Sequence, residues 1–244
     1  MNISANNFDF KELNEKIRTS GDNICIDGCY GQRFIGAAMK EKKILINGTP
    51  GNALGAYLDG AVIEVNGNAQ DAVGDTMNDG KIVIHGNAGD ALGYAMRGGS
   101  IFVKGNAGYR TGIHMKEYCS AEQRLEKKPL IVIGGRVGSF LGEYLAGGVI
   151  VVLGIDADEA PVGYFTGTGM HGGKIFIRTD RDLTGLPAQV VAEIASAEDL
   201  REIEPYVSEF SRLFNIDISL LMGNQFYILK PNAKNPYRQL YTEN

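Results

Sequence analysis

The chain of 244 residues is long enough for one large domain or two small ones, and it has 33 glycines beside 7 prolines and 44% hydrophobic residues. This composition fits neither a disordered Pro/Gly tract nor an ordinary helical bundle, and it predicts repeated glycine turns. The net charge is −5 and there is no block of basic residues, so we expect neither a nucleic acid nor a membrane as partner.

The first ten residues lack the basic and apolar regions of a signal peptide, and no stretch approaches 18 consecutive apolar residues. We therefore expect a cytoplasmic protein. Its three cysteines, Cys25, Cys29 and Cys119, are an odd number that favours reduced thiols over a disulfide framework.

Residues 1–23 are predicted to form a helical cap. Asp9 can serve as the N-cap of a helix with Glu12 three residues later, which is the spacing of a capping box. Apolar residues then follow at i, i+3 and i+7, namely Phe10, Leu13 and Ile17.

A sequence repeat occupies residues 24–178. Each repeat begins with a short alternating segment, such as Ile82 to His85, in which Ile82 and Ile84 point to one side. Glycine and asparagine follow where the chain must turn, because both tolerate positive φ. One column of turn glycines recurs every 19 residues, at Gly36, Gly55, Gly74, Gly93 and Gly112. The repeat predicts an all-β fold, a right-handed parallel β-helix with about eight coils of roughly 19 residues.

The register breaks after Met115 and returns after an insertion. Ile131 follows Ile101 by 30 residues, which is 11 more than one period, and the glycine column continues at Gly142. Residues 116–129 therefore contain a charged excursion from the coil. Loops of this length are favoured sites for contacts with a partner.

Residues 179–244 lack the period and are predicted to form a mainly helical extension. Ser196 and Asp199 can start a helix that Pro205 interrupts or restarts, and a strand-like segment lies near residues 225–229. An apolar stripe follows the proline, at Val207, Phe210 and Phe214. Helical caps at both ends would protect the terminal coils from edge-to-edge pairing.

An apolar row is expected on the outer face of the strands. Alternation directs one residue of each strand away from the core, and these residues are mostly apolar. Such a row implies cover by the terminal helices of the chain or by another protein. The candidate interface residues are Val83, Phe102, Val132, Val151 and Phe176.

Motifs with specific chemistry are weak. Residues 167–172 match the G-x-G-x-x-G dinucleotide fingerprint, but the strand-like Lys174 to Ile177 follows instead of a helix, so we interpret them as a turn. The histidines His85, His114 and His171 lack a second ligand at zinc-like spacing. Aspartates on the coil turns, such as Asp71 and Asp90, are interpreted as a solvated face. We predict no catalytic residue, no cofactor-binding residue and no metal ligand on this chain.

The repeat resembles a known family. The resemblance covers residues 24–178 and depends on four segments: residues 31–36, 48–116, 147–154 and 167–173. They are similar to the GXGXG domain at the C-terminal end of the glutamate synthase large subunit. With its flanking segments, the chain resembles the separate third polypeptide of the split, archaeal-type enzyme.

This resemblance implies a structural subunit in an assembly that transfers glutamine-derived ammonia to 2-oxoglutarate. The expected partners are glutamine amidotransferase and FMN-dependent synthase subunits, which would carry the FMN and iron–sulfur groups. No catalytic residue carries over to this chain, because the amidotransferase uses an N-terminal cysteine and no cysteine precedes Cys25.

Other assignments stay open. The C subunit of formylmethanofuran dehydrogenase shares the GXGXG repeat, and a homo-oligomeric solenoid with no enzyme partner is a further alternative. A left-handed β-helix acyltransferase is disfavoured, because its hexapeptides require coils near 18 residues.

Overall fold

A computed structural model describes residues 1–119 and 126–232 of the chain. The elements in chain order are β1 (Asn2–Ser4), a 3₁₀ turn (Ala5–Asn7), α1 (Phe10–Thr19), β2 (Asn23–Tyr30), β3 (Lys43–Thr49), β4 (Asp59–Asn66), β5 (Asp79–Ile84), β6 (Ser100–Val103), β7 (Tyr118–Cys119), β8 (Glu126–Lys127), β9 (Leu130–Ile133), β10 (Ala146–Val152), β11 (Gly172–Arg178), β12 (Val190–Ile194), α2 (Ala197–Phe214), α3 (Ile218–Met222) and β13 (Phe226–Pro231).

The repeat forms a parallel β-solenoid, which confirms the predicted fold class. Eight strands, β2 to β6 and β9 to β11, lie side by side in one sheet, and each of them pairs in parallel with the strand of the next coil as far as β11. The inward isoleucines stay in register across the excursion, since Ile101 pairs with Ile131 and Ile131 pairs with Ile150. Eight strands enclose seven complete turns, so the expected eight coils are seven turns and a closing strand.

The interior of the solenoid is filled with apolar side chains. The inward strand residues, such as Ile82 and Ile84, lie across the core from turn residues such as Leu92 and Met96, and all four have no exposed surface. The same pattern repeats from coil to coil in one continuous cluster. Burial at this density leaves the outer surface as the part of the solenoid that other molecules can reach.

The column of turn glycines sits where the chain bends back toward the sheet. Its members have φ between +64° and +74°. At Gly93 an added Cβ would come within 2.5 Å of Ile131 Cδ1, and the other members meet the isoleucine at the equivalent place. Glycine is therefore required twice, by the backbone conformation and by the closeness of the inner stack. The column comprises Gly36, Gly55, Gly74, Gly93, Gly112 and Gly142.

Polar ladders run along the other corner of the coils. The backbone N–H of Asn87 donates to Oδ1 of Asn68 at 2.8 Å, and the N–H of Asn106 donates to Oδ1 of Asn87 at 2.8 Å. A second ladder joins Asp71 and Asp90 through an N–H···Oδ1 hydrogen bond of 2.9 Å. These aspartates are exposed, as expected of a solvated face, and each also accepts a backbone hydrogen bond from the next coil.

The N-terminal end is closed by a helix and by a strand. The capping box of Asp9 and Glu12 is confirmed, and Leu13 and Ile17 of α1 are fully buried against the first coil. In addition, β1 pairs in parallel with β2. No sequence pattern had predicted this strand.

The C-terminal extension adds strands as well as helices. β13 pairs antiparallel with β11, and β12 pairs antiparallel with β13, so both continue the sheet beyond the last parallel strand. α2 starts at the expected capping box of Ser196 and Asp199. Pro205 lies inside α2 on its exposed side, and the helix continues through it, so the expected interruption was wrong. None of the helices in the described ranges is long and apolar enough to cross a lipid bilayer.

Candidate functional site

The apolar outer row is an interface within the chain. Val83 is 3% exposed and the other four members are fully buried. They pack against the buried face of α2, and the two sets form one cluster with Phe226 and Ile228 of β13. The helix residues in that contact are Ile203, Val207, Phe210 and Phe214. Of the two expected kinds of cover, the structure places the chain's own helix over the row, so these residues are not open to a partner.

Ion pairs fix α2 to the solenoid beside this row. The Glu202 carboxylate contacts the ammonium groups of Lys128 at 2.8 Å and Lys174 at 2.5 Å. Two further carboxylates of the helix segment are paired: Glu209 with Lys81, and Asp199 with Lys230 at 3.4 Å. Burial of Glu202 opposes its ionisation, but the hydrogen bonds and charges of its two lysines outweigh that effect and lower the pKa of its carboxyl. The contact between helix and sheet is thus apolar at its centre and ionic along its edge.

The groups that sequence analysis had weighed for chemistry do not converge. Burial raises the pKa of the Cys29 thiol to about 11, which leaves it protonated and unreactive. Nε2 of His85 lies within hydrogen-bond distance of Glu64 Oε1, at 2.8 Å, on the strand face. His114 lies on the turns, where its ring stacks on Tyr144. Within residues 1–119 and 126–232, no group of three His, Cys, Asp or Glu side chains could hold a metal ion.

The fingerprint-like segment is a turn, as predicted. Gly167 and Gly169 have φ of +77° and +69°, and β11 begins at Gly172. A strand therefore stands where the dinucleotide motif requires the N-terminus of a helix.

The accessible surface with the most distinctive chemistry lies on the last turns of the solenoid. Its side chains are mainly aromatic and are not covered by α2. Tyr164 is 69% exposed, Phe165 is 52% exposed and Tyr94 is 41% exposed. We name this surface the turn-face patch and define it as Tyr94, Arg110, His114, Phe140, Glu143, Tyr144, Tyr164 and Phe165.

Stacking contacts join the patch across successive turns. The rings of Phe140 and Phe165 stack with centroids 5.1 Å apart, and the Arg110 guanidinium lies 5.2 Å from the Phe140 centroid. Nε of Arg110 also donates to Glu143 Oε2 at 3.0 Å. These contacts hold the rings in defined positions.

A second row of the patch runs parallel to the first. The His114 ring stacks on Tyr144 with centroids 5.1 Å apart and meets Tyr94 edge-on at 6.0 Å. The backbone beneath is tied from turn to turn, since the N–H of His114 donates to the Glu143 carbonyl and the N–H of Tyr144 donates to the Thr168 carbonyl.

Five residues of the patch have a left-handed backbone conformation. Their φ values lie between +54° and +63°, at Arg110, His114, Phe140, Tyr144 and Phe165. Bulky residues rarely occupy this region. In the earlier coils these two columns carry mostly small residues, at Ala53, Ala72 and Ala91 in one and at Ala38, Thr76 and Ala95 in the other, with Phe34 and Tyr57 as their bulky members. The patch was not predicted from the sequence, although the change from Ala53, Ala72 and Ala91 to Arg110, Phe140 and Phe165 along one column was a usable signal.

A cleft of about 600 Å³ borders the patch through Tyr164. Its walls carry both signs of charge, from Arg136, Arg181, Asp158 and Asp182. The cleft is open and mixed in charge, unlike the enclosed apolar pockets that hold small cofactors.

Comparison with known proteins gives a relative and a structural neighbour. The chain is 42% identical to the uncharacterized protein MJ1350 of Methanocaldococcus jannaschii, over 98% of this chain and 95% of that protein. A chain in the X-ray structure of the formyltransferase/hydrolase complex from Methylorubrum extorquens, solved with methylofuran, superposes with a TM-score of 0.65 at 22% identity. That superposition covers 85% of this chain and 72% of the other, and it shows a shared fold.

The match to a family model is broader than the resemblance found by inspection. The model described as the GXGXG motif matches residues 11–231, which includes the repeat, α1 and the C-terminal strands and helices. The glycine column, the stacked turns and this match agree, and the chain belongs to the GXGXG motif family.

Proposed function

We propose that the chain is a non-catalytic structural subunit of a glutamate synthase-type assembly. Its partners in this proposal are glutamine amidotransferase and FMN-dependent synthase chains, which would carry the FMN and iron–sulfur groups and act together in the cytoplasm. The observation that carries the proposal is the family match across residues 11–231.

The packing of the solenoid supports a structural role. In residues 1–119 and 126–232, inward strand residues and turn residues form one continuous apolar cluster that fills the interior of the coils. A stack of hydrogen-bonded coils is stiff along its axis and presents separate faces at fixed distances. These are properties of a subunit that positions other chains.

Coexpression tests this function. The chain is produced with the amidotransferase-like and flavin synthase-like chains of the same genome, and the mixture is separated by size exclusion. We expect one assembly that contains this chain and, when a two-electron reductant is supplied, converts one glutamine and one 2-oxoglutarate to two glutamates, whereas the isolated chain has no such activity. An enzyme that assembles and works equally well without this chain would contradict the proposal.

A second candidate is a structural subunit of a formylmethanofuran dehydrogenase-type enzyme. It is favoured by the structural neighbour, which comes from a complex solved with methylofuran. Coexpression with chains of that enzyme separates the two candidates, because only one set should retain this chain. Light scattering on the isolated chain tests the remaining alternative, a homo-oligomer.

A further inference from the structure

We propose that the turn-face patch is the surface on which a partner subunit docks. The proposal rests on the assembly proposed above and names the face that this chain contributes. The occupant is a folded protein with an uncharged, largely apolar contact surface.

The patch lies on the side of the coils that α2 does not cover. In the last coils the outer face of the strands is covered by α2, with Phe102, Val132 and Phe176 fully buried. The turns lie across the core from those strands, since a Cβ at Gly142 would meet Ile175 Cδ1 at 2.6 Å. The turn side of these coils therefore remains accessible where the strand side is already occupied.

The patch consists mainly of aromatic and arginine side chains. Tyrosine, phenylalanine and arginine are the residues that dominate the energy of protein–protein contacts. Here they form one stacked surface, and the Phe140–Phe165 and His114–Tyr144 pairs restrict the freedom of the side chains before binding. A surface ordered in advance loses less entropy on association.

Five bulky residues of the patch have a left-handed backbone conformation. Folding of the turns does not require an aromatic ring in each coil, because Ala53, Ala72 and Ala91 stand in the column that begins at Phe34 and ends at Phe140 and Phe165. Glycine or asparagine would adopt the same positive φ at lower cost. The left-handed conformation recurs in every coil and belongs to the turn itself. The patch differs because bulky residues adopt this conformation on three successive turns, where they stack on one another and stay accessible, and such residues are candidates for a binding role.

Charge identifies the kind of partner. The two residues of the patch with opposite formal charges, Arg110 and Glu143, pair with each other at 3.0 Å. The patch therefore offers little net charge to a polyanion or to a lipid headgroup. A partner with an uncharged surface fits it best, and binding should depend little on ionic strength.

The test uses a variant that removes rings without straining the turn. In Phe140→Asn/Phe165→Asn both residues become asparagine, which tolerates positive φ, so the melting temperature should be equal to that of the parent or higher. Phe34→Asn is the matched control, because Phe34 is 44% exposed, has φ +57° and occupies the same column at the other end of the solenoid. Tyr164→Ser is a second test variant, should the double variant fold poorly.

The full chain and each variant are tagged and purified under native conditions from the cells that normally make the protein. Composition is measured by mass spectrometry, mass by light scattering, and protection of residues 109–114, 139–144 and 163–168 by hydrogen exchange. We expect the parent and Phe34→Asn to retain a different protein chain at fixed stoichiometry, in low and high salt. The double variant should retain at least about tenfold less of it, since two central aromatic contacts are lost.

Three results would overturn this inference: a double variant that retains the partner as well as the parent does, a patch with no protection in the assembly, or a patch covered only by a second copy of this chain. The proposed function fails separately. Retained chains that depend on the patch but are neither amidotransferase nor flavin synthase would refute the function and support the docking surface. If the double variant retains both enzymes, the proposed function is supported and the docking surface is refuted.

Discussion

At the scale of single residues, the repeat is maintained by two kinds of position with different physical demands. The turn glycines satisfy a positive φ and the approach of the inner isoleucines. The asparagines of the ladder satisfy backbone N–H groups that have no partner within their own coil. The spacing of the glycines predicted their column, whereas the isoleucine that each of them meets depends on stacking and only the structure shows it.

Gly93→Ala separates these two demands when it is compared with Gly31→Ala. Both glycines have positive φ, of +69° and +82°, but a Cβ at Gly31 has nothing within 4 Å. We expect Gly31→Ala to cost about 1 kcal/mol of unfolding free energy from the backbone alone. Gly93→Ala should cost roughly 2–4 kcal/mol, because Ile131 must also move. Chemical denaturation measures both, and equal costs would mean that the inner stack accommodates the added methyl group.

Asn87→Ala tests the ladder. It leaves the N–H of Asn106 without its acceptor, and we expect a loss of about 1 kcal/mol. Asn52→Ala is the control, since the described residues show no hydrogen bond to the Asn52 side chain. Thermal melting compares the two variants, and an unchanged melting temperature for Asn87→Ala would show that water replaces the ladder at no cost.

At the scale of elements, α2 decides the role of the outer row. Alternation in the strands predicted the apolar row and the need for cover, and the apolar stripe of the extension predicted an amphipathic helix. The sequence could not choose between the chain's own helix and a partner, because nothing local relates residue 102 to residue 210. If a partner covered the row, the isolated chain would tolerate Phe102→Asp. Because α2 covers the row and Phe102 is fully buried, we expect Phe102→Asp to destabilise the chain itself.

Phe210→Ala tests the docking of α2. Phe210 is fully buried against the row and packs edge-on against Phe214 at 4.7 Å. We expect a loss of roughly 3–5 kcal/mol. Arg212→Ala, on the exposed side of the same helix, should change stability by less than about 0.5 kcal/mol. The comparison uses urea denaturation, and similar midpoints for both variants would mean that α2 contributes little to the fold.

The ionic edge of α2 gives a pH dependence with a definite sign. The pKa of Glu202 is lowered in the folded chain, so its ion pairs contribute stability above the ordinary glutamate pKa of about 4.5 and lose it as pH falls through the lower, folded value. Glu202→Gln should cost roughly 0.5–1 kcal/mol at neutral pH, because the pairs are partly exposed. The difference between parent and variant should vanish below the folded pKa. A difference that persists at low pH in melting experiments would show that packing, not charge, explains the effect.

At the scale of the whole molecule, the sequence predicted the middle of the solenoid better than its ends. A coil is related to its neighbours by the 19-residue period, so one strand predicts the next. The pairing of β1 with β2 and of β13 with β11 has no such relation, and neither β1 nor β12 was foreseen. The turn-face patch escaped prediction for a similar reason, because its rings meet only after the turns stack.

The two ends of a solenoid carry its open edges, and the N-terminal cap is therefore expected to control association as well as stability. Ile17 is fully buried where α1 closes the core over the first coil, while Arg18 beside it is exposed. Ile17→Asp places an unpaired charge in that contact, which costs several kcal/mol. Release of α1 would expose the apolar end of the stack, so Ile17→Asp should associate more than the parent as concentration rises. Arg18→Ala should behave like the parent in mass and in melting temperature. Light scattering over a range of concentrations measures the association, and an Ile17→Asp variant with the mass and melting temperature of the parent would show that β1 alone protects this end.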